Sequence, residues 1–233
     1  MSGIPILSRE DIELKAEEVI EYFSPASIKK PSKTPIELIC KSLNEVHKIQ
    51  FEFSSDLGLS LNDKKILGKF VFNPRSIFID NSVINTARFP FVLSHEIGHL
   101  VLHRNVSYIK SNYKDIIDTE IDFASGKKIL QSDKDWLEWQ ANQFASSFIM
   151  PRQTVLTTVV MVQQKMGITH NIGQVYVSKE SSSIRDFNNL LNEVAAIYDV
   201  NKTNVENRLS DLGILIDHRL KDVKHISELF NED

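Results

Sequence analysis

The stretch RFPFVLSHEIGHLVLH, residues 88–103, places His95 and His99 four residues apart with Glu96 directly after the first. On an α-helix such a pair shares one face about a turn apart, so the two imidazoles converge on one cation. Neutral imidazole is a zinc ligand, and a carboxylate beside the first ligand reaches water at the metal without occupying the metal. The combination suits hydrolysis, with Glu96 taking a proton from water and returning it to a leaving amine. HExxH strings also arise by chance, and a histidine on an apolar helix is more often a packing residue. The pair therefore needs a third protein ligand, with the fourth position left for water. His103 continues the same face, but it starts about 12 Å from His95 at 1.5 Å rise per residue, too far along one straight helix to close a tetrahedron. It is assigned to packing or to support of the ligands.

The better candidate for the third ligand lies in EWQANQFASSFIMP, residues 138–151, where Glu138, Ala141, Asn142 and Ala145 form one helical stripe. Small residues on that stripe let the helix lie close to the motif helix and present Glu138 to the metal. Taken alone, Glu138 reads as a solvated carboxylate at a helix start, favoured by the helix dipole. Asp118, Glu120, Asp122, Asp133 and Asp135 compete with it, but they fall in a polar stretch with no helical face to fix them. Tyr108, Tyr113, His170 and Tyr176 are all candidates for an oxyanion helper, and spacing singles out none of them.

These groups must be positioned by the surrounding elements. Residues 9–23 carry apolar groups at helical spacing behind Ser8 as cap. Thr34-Pro35-Ile36-Glu37 reads as cap, first-turn proline and capping-box glutamate of a second helix running to about His47. The period then changes to two: residues 49–53, KILGKFVFN and SIFID read as strands of a small sheet. Residues 88–103 revert to helix, 104–135 read as polar and irregular, and 136–149 as helix until Pro151 stops it. Beyond lie a helical segment, Val155 to Met166, a possible strand at GQVYVS, and Ser181-Ser182-Ser183 as linker or cap. Residues 184–216 read as two helices around Val200-Asn201-Lys202, closing with RLSDLGIL. The division is a domain over 1–158, with 104–136 as an insertion, and a mainly helical region over 159–233, helix-turn-helix-like at 185–215.

The charge balance limits the partners. A net charge of −4 supplies no positive field for nucleic acid or an anionic membrane. Residues 185–233 hold six Lys or Arg against ten Asp or Glu, and the second putative helix offers only Lys202 and Arg208. A structural or protein-docking role for these helices is preferred over DNA binding. The N-terminus has neither a basic nor an apolar leader region, no apolar run reaches membrane-spanning length, and the lone Cys40 sits at an apolar helical position as an inert buried thiol. A cytoplasmic location is expected.

Together the two segments resemble the ImmA/IrrE family of zinc metallopeptidases. The matching elements are Arg88-Phe89 leading into HEIGH at 95–99, then Glu138, Ala141-Asn142, Phe144-Ala145 and Met150-Pro151, and the likeness covers roughly residues 35–151. The resemblance implies an α+β, zincin-like core of N-terminal helices, small sheet, HExxH helix and Glu-bearing helix. It also implies one Zn²⁺ per chain held by His95, His99 and Glu138, with Glu96 as general base. Family members of known role cut helix-turn-helix repressors of the Cro/CI type, so the expected partner is such a repressor and the expected outcome derepression of a mobile-element, phage or stress operon. The chain departs from the pattern in the 38 residues between His99 and Glu138, more than the family usually shows. The insertion reads as a lid, a docking element or a tolerated loop. Two other readings stand beside the peptidase: a zinc-fold module that cleaves nothing, and a DNA-binding regulator acting through the C-terminal helices.

Overall fold

The computed structural model describes residues 4–53, 55–106, 109, 114–119 and 132–219. Helix α1 (Arg9–Phe23) opens with a capping box in which Ser8 and Asp11 satisfy each other's backbone amides. After the short α2 (Ala26–Lys29), α3 (Ile36–His47) buries Ile36, Ile39, Cys40 and Leu43 along one stripe. Its expected cap is absent: the Thr34 hydroxyl donates instead to the Phe148 carbonyl at 2.8 Å, so a local capping signal is diverted to a tertiary contact. Burial pushes the Cys40 thiol well up, which keeps it unreactive.

Strands β1 (Gln50–Glu52), β2 (Ile66–Phe72) and β3 (Arg75–Ile79) follow, and a fourth strand, β4 (Asp115–Thr119), completes a sheet of order β1-β3-β2-β4. β1 runs parallel to β3, while β2 is antiparallel to both β3 and β4. The stretch 104–135, expected to be irregular, therefore contributes a strand, and the Glu-bearing helix starts earlier than its apolar pattern suggested. Pairing sets Gly68 opposite Ile79 and Asp118, and Phe70 opposite Ile77 and Ile116. These residues share one buried face of the sheet.

The motif helix α4 (Phe89–Gly98) continues as a π-helical turn, His99–His103. Helix α5 (Asp133–Ile149) begins with a second capping box, Ser132 with Asp135, and lies between α4 and α1. Contact between α4 and α5 is close because both offer small residues at the crossing: a Cβ placed on Gly98 would meet Phe144 at 3.2 Å and the Ala141 backbone at 3.3 Å. Helix α6 (Arg152–Lys165) contains residue 158. Then come β5 (Val175–Val177), α7 (Ser181–Tyr198), whose first turn is the triple serine, α8 (Lys202–Asp211), capped by Asn201, and β6 (Leu215–Asp217). β6, expected to be the end of a helix, turns away at Gly213 with φ of 70° and pairs parallel with β5. The chain is thus α+β, with a mainly helical C-terminal region. Among the described residues, no helix is long and apolar enough to cross a membrane.

Asp80 pins the end of β3 to the stretch ahead of β2. Its carboxylate accepts from the Leu57 amide at 2.8 Å and the Ser82 amide at 2.9 Å, and pairs with Lys65 at 3.0 Å. Burial opposes its charge, but the donors from Ser82, Leu57 and Lys65 prevail and hold it down at about 2. Because the folded value lies below the unfolded one, its stabilisation is present at neutral pH and is lost as pH falls from about 4 toward 2. Asp80→Asn is expected to cost on the order of 1–2 kcal/mol at pH 7 and little near pH 2, as read from thermal melts at the two values.

Candidate metal centre

Three elements deliver four buried side chains to one point: His95 and His99 from the motif helix and its π turn, Glu138 from the second turn of α5, and Asp118 from β4. One ligand atom from each lies within 4.8 Å of every other. His95 Nε2 is 3.0 Å from His99 Nε2, 3.2 Å from Glu138 and 3.5 Å from Asp118. His99 Nε2 is 3.4 Å from Asp118 and 3.7 Å from Glu138. A regular tetrahedron with metal–ligand bonds of about 2.0–2.1 Å has edges of about 3.3–3.4 Å, and these five edges straddle that value. Asp118 Oδ1 and Oδ2 and Glu138 Oε1 are buried without a hydrogen-bond partner among the described residues. Buried carboxylate oxygens converging with two imidazole nitrogens are the donor set of a small cation, so the residues fit a metal ion.

The outer ring nitrogens are engaged as metal-ligating histidines require. Gln140 Nε2 donates to the Pro5 carbonyl at 2.7 Å, which turns its Oε1 toward His103 Nε2 at 3.2 Å. The neutral His103 ring then donates from Nε2 and accepts at Nδ1, where His99 Nδ1 lies 2.9 Å away and donates. His95 Nδ1 donates likewise to Asn142 Oδ1 at 3.0 Å. In their neutral form both histidines are thereby left with Nε2 lone pairs aimed at the cluster. Burial and the neighbouring His99 hold His103 well below its usual range, so it stays neutral in this chain of bonds. Asn142→Ala is expected to weaken metal affinity about 10–100-fold with the fold intact, measured by chelator competition, since it removes one of these orienting partners.

The site's electrostatics favour positive charge. Burial penalises the His95 imidazolium, but Asp118 and then Glu138 outweigh it and raise His95 to about 10. The same two carboxylates raise His99 against its own burial. Burial opposes the charge of Asp118 also, yet His99 and His95 draw it well below the usual carboxylate range, whereas burial and the Asp118 charge push Glu138 up. The two carboxylates that favour positive charge on these rings will also favour a dication between them.

Glu96 is buried beside the cluster, with its carboxylate against the β2 backbone at Gly68, where an added Cβ would collide with it. Of the four residues singled out by spacing and resemblance, His95, His99 and Glu138 converge, while Glu96 follows His95 on the helix with its carboxylate at Gly68. Asp118, weighed and set aside for want of a helix to fix it, is fixed by a strand instead. The signal available was the β-branched run Asp-Ile-Ile-Asp-Thr at 115–119, short enough to pass as loop. Asp133 and Asp135 sit at the start of α5, the latter in its capping box, and Glu120 and Asp122 lie outside the described residues. So do Tyr108 and Tyr113, while His170 and Tyr176 line a different cleft with Gln163 and His218.

A family model described as the IrrE N-terminal-like domain, a peptidase family, matches residues 45–176, more than half of the chain and a span that holds all four members of the cluster. No curated protein matches the chain significantly. With an HExxH helix, a Glu-bearing helix and a metal-binding donor set inside that span, the chain belongs to the IrrE N-terminal-like (ImmA/IrrE) family of metallopeptidases.

Proposed function

We propose that this protein is a zinc-dependent endopeptidase that cleaves a regulatory protein in the cytoplasm, with a Cro/CI-type helix-turn-helix repressor as its substrate. His95, His99 and Glu138 hold the metal and Glu96 is the general base. The observation that carries this reading is the convergence of two imidazole nitrogens and buried carboxylate oxygens at tetrahedral spacing beside a further buried carboxylate. A zinc ion in such a site supplies acidification of water and polarisation of the peptide carbonyl. Glu96 accepts the proton from the attacking water and delivers it to the departing amine. Gly68 leaves room for that carboxylate against the sheet. The substrate class is supported by the family resemblance, whose members of known role act on such repressors.

A zinc-fold module that binds without cleaving is favoured by one feature, the presence of a fourth buried donor residue, Asp118, in the cluster. The separating experiment incubates the zinc-supplemented protein with helix-turn-helix repressors encoded beside it and follows cleavage by mass spectrometry, against Glu96→Gln as control. A defined cut made by the wild type and not by the variant supports the peptidase. Stoichiometric zinc with no cut in any partner, even after the Asp118 carboxylate is removed, supports the silent module.

A further inference from the structure

β4 occupies a distinctive place. It is the outer strand of the sheet and covers β2, the strand whose Gly68 lies under Glu96. An extended peptide that added as a strand along that edge of β2 would bring its backbone beside Gly68, the position the Glu96 carboxylate touches. The edge is already paired with β4, from Ile66 opposite Thr119 to Val71 opposite Asp115. Within this register Asp118 faces Gly68, which sets its carboxylate 3.5 Å from His95 Nε2 and 3.4 Å from His99 Nε2.

Resting on the peptidase reading above, we propose that β4 is an internal occupant of the substrate edge and that Asp118 is a fourth protein ligand, so that the protein rests as a latent peptidase. Four protein ligands close a zinc site, whereas a catalytic site keeps one position open. Asp118 must therefore leave before water and substrate can enter.

The attachments of β4 suit reversible release. Its Ile116 is anchored in a satellite cluster with Ile4, Ile109 and Leu137, which meets the main core at Phe72 of β2. Its outer side is held by a half-exposed Lys69–Asp115 pair at 2.8 Å and by a Lys134 hydrogen bond to the Ile117 carbonyl. Exposed pairs of this kind contribute little, so the hold on β4 comes down to its ladder with β2 and the small Ile116 cluster.

The test compares wild type with Asp118→Asn in three readouts. Zinc affinity by chelator competition is expected to fall at least 10–100-fold in the variant, the Co²⁺-substituted protein to change its visible absorption as a carboxylate ligand is lost, and repressor cleavage to rise. Equal affinities and superimposable Co²⁺ spectra would overturn the proposal while leaving the peptidase reading intact. Absence of zinc from both proteins would overturn that reading and this one with it. As a check that does not depend on the stability of the Asp118 variant, Lys69→Cys and Ile117→Cys are combined, since these positions face each other across the two strands. The oxidised, cross-linked protein is expected to keep its metal and cleave nothing, and reduction to restore cleavage. Cleavage by the oxidised form at the reduced rate would show that β4 need not leave, and would sink the proposal.

Discussion

Glu96→Gln is expected to hold as much metal as the wild type and to lose about 10²–10⁴-fold in peptidase activity, the range that a positioned general base contributes. The expectation follows from placement. Glu96 lies one residue after His95 on α4 and is fully buried, but it is absent from the set of donor atoms that converge on the cluster, and its carboxylate rests against β2 at Gly68. Glutamine keeps the size and the packing against Gly68 while removing the proton acceptor. Elemental analysis and repressor cleavage on the same preparation check both halves of the statement. Loss of metal from the variant would make Glu96 a ligand, and cleavage at the wild-type rate would place the base elsewhere. Because Asp118 governs access in the proposal above, the comparison is also made in the Asp118→Asn background, where a low basal rate cannot mask the effect.

Local patterns foretold the parts of the site that local geometry controls. The spacing of His95 and His99 needs only one helix, and the small residues Ala141 and Ala145 of the Glu138 stripe announce the close crossing that Gly98 completes on the other side. Where partners lie far apart in sequence, the patterns fell short. β4 is five residues long, its partner β2 ends more than 40 residues earlier, and nothing in Asp-Ile-Ile-Asp-Thr by itself distinguishes a paired strand from a polar loop. Gln140 gains its role from a carbonyl at Pro5, across the whole domain. Thr34 carried a proper capping signal, and a tertiary acceptor at Phe148 outcompeted the helix end for its hydroxyl. The expected misses are thus non-local bonds, and the most consequential of them carries Asp118, the fourth donor residue, into the site.

Arg208→Ala is expected to destabilise the protein by about 3–5 kcal/mol, the cost of removing one partner from a buried ion pair. Arg208 is 3% exposed. Its Nε donates to the Met150 carbonyl at 2.9 Å, Nη1 to Ser147 Oγ at 3.2 Å, and Nη2 pairs with Glu13 of α1. Burial lowers the pKa of the guanidinium and Glu13 counters it. Truncation takes the Arg208 donor from the Met150 carbonyl, just past the helix that bears Glu138, and among the described residues leaves Glu13 paired with Arg152 at 3.4 Å. The pair can be replaced more safely than it can be broken: Glu13→Leu with Arg208→Met is expected to recover most of the loss in urea titrations, since a buried pair gains little over apolar groups of similar volume. The outcome bears on the C-terminal helices as well. Of the two cations that the DNA-binding reading required from α8, Arg208 is turned inward and fastens α8 to the scaffold of the metal centre. A surface phosphate contact would lose no more than about 0.5 kcal/mol on truncation. A change that small would return Arg208 to the surface and reopen the question of nucleic acid.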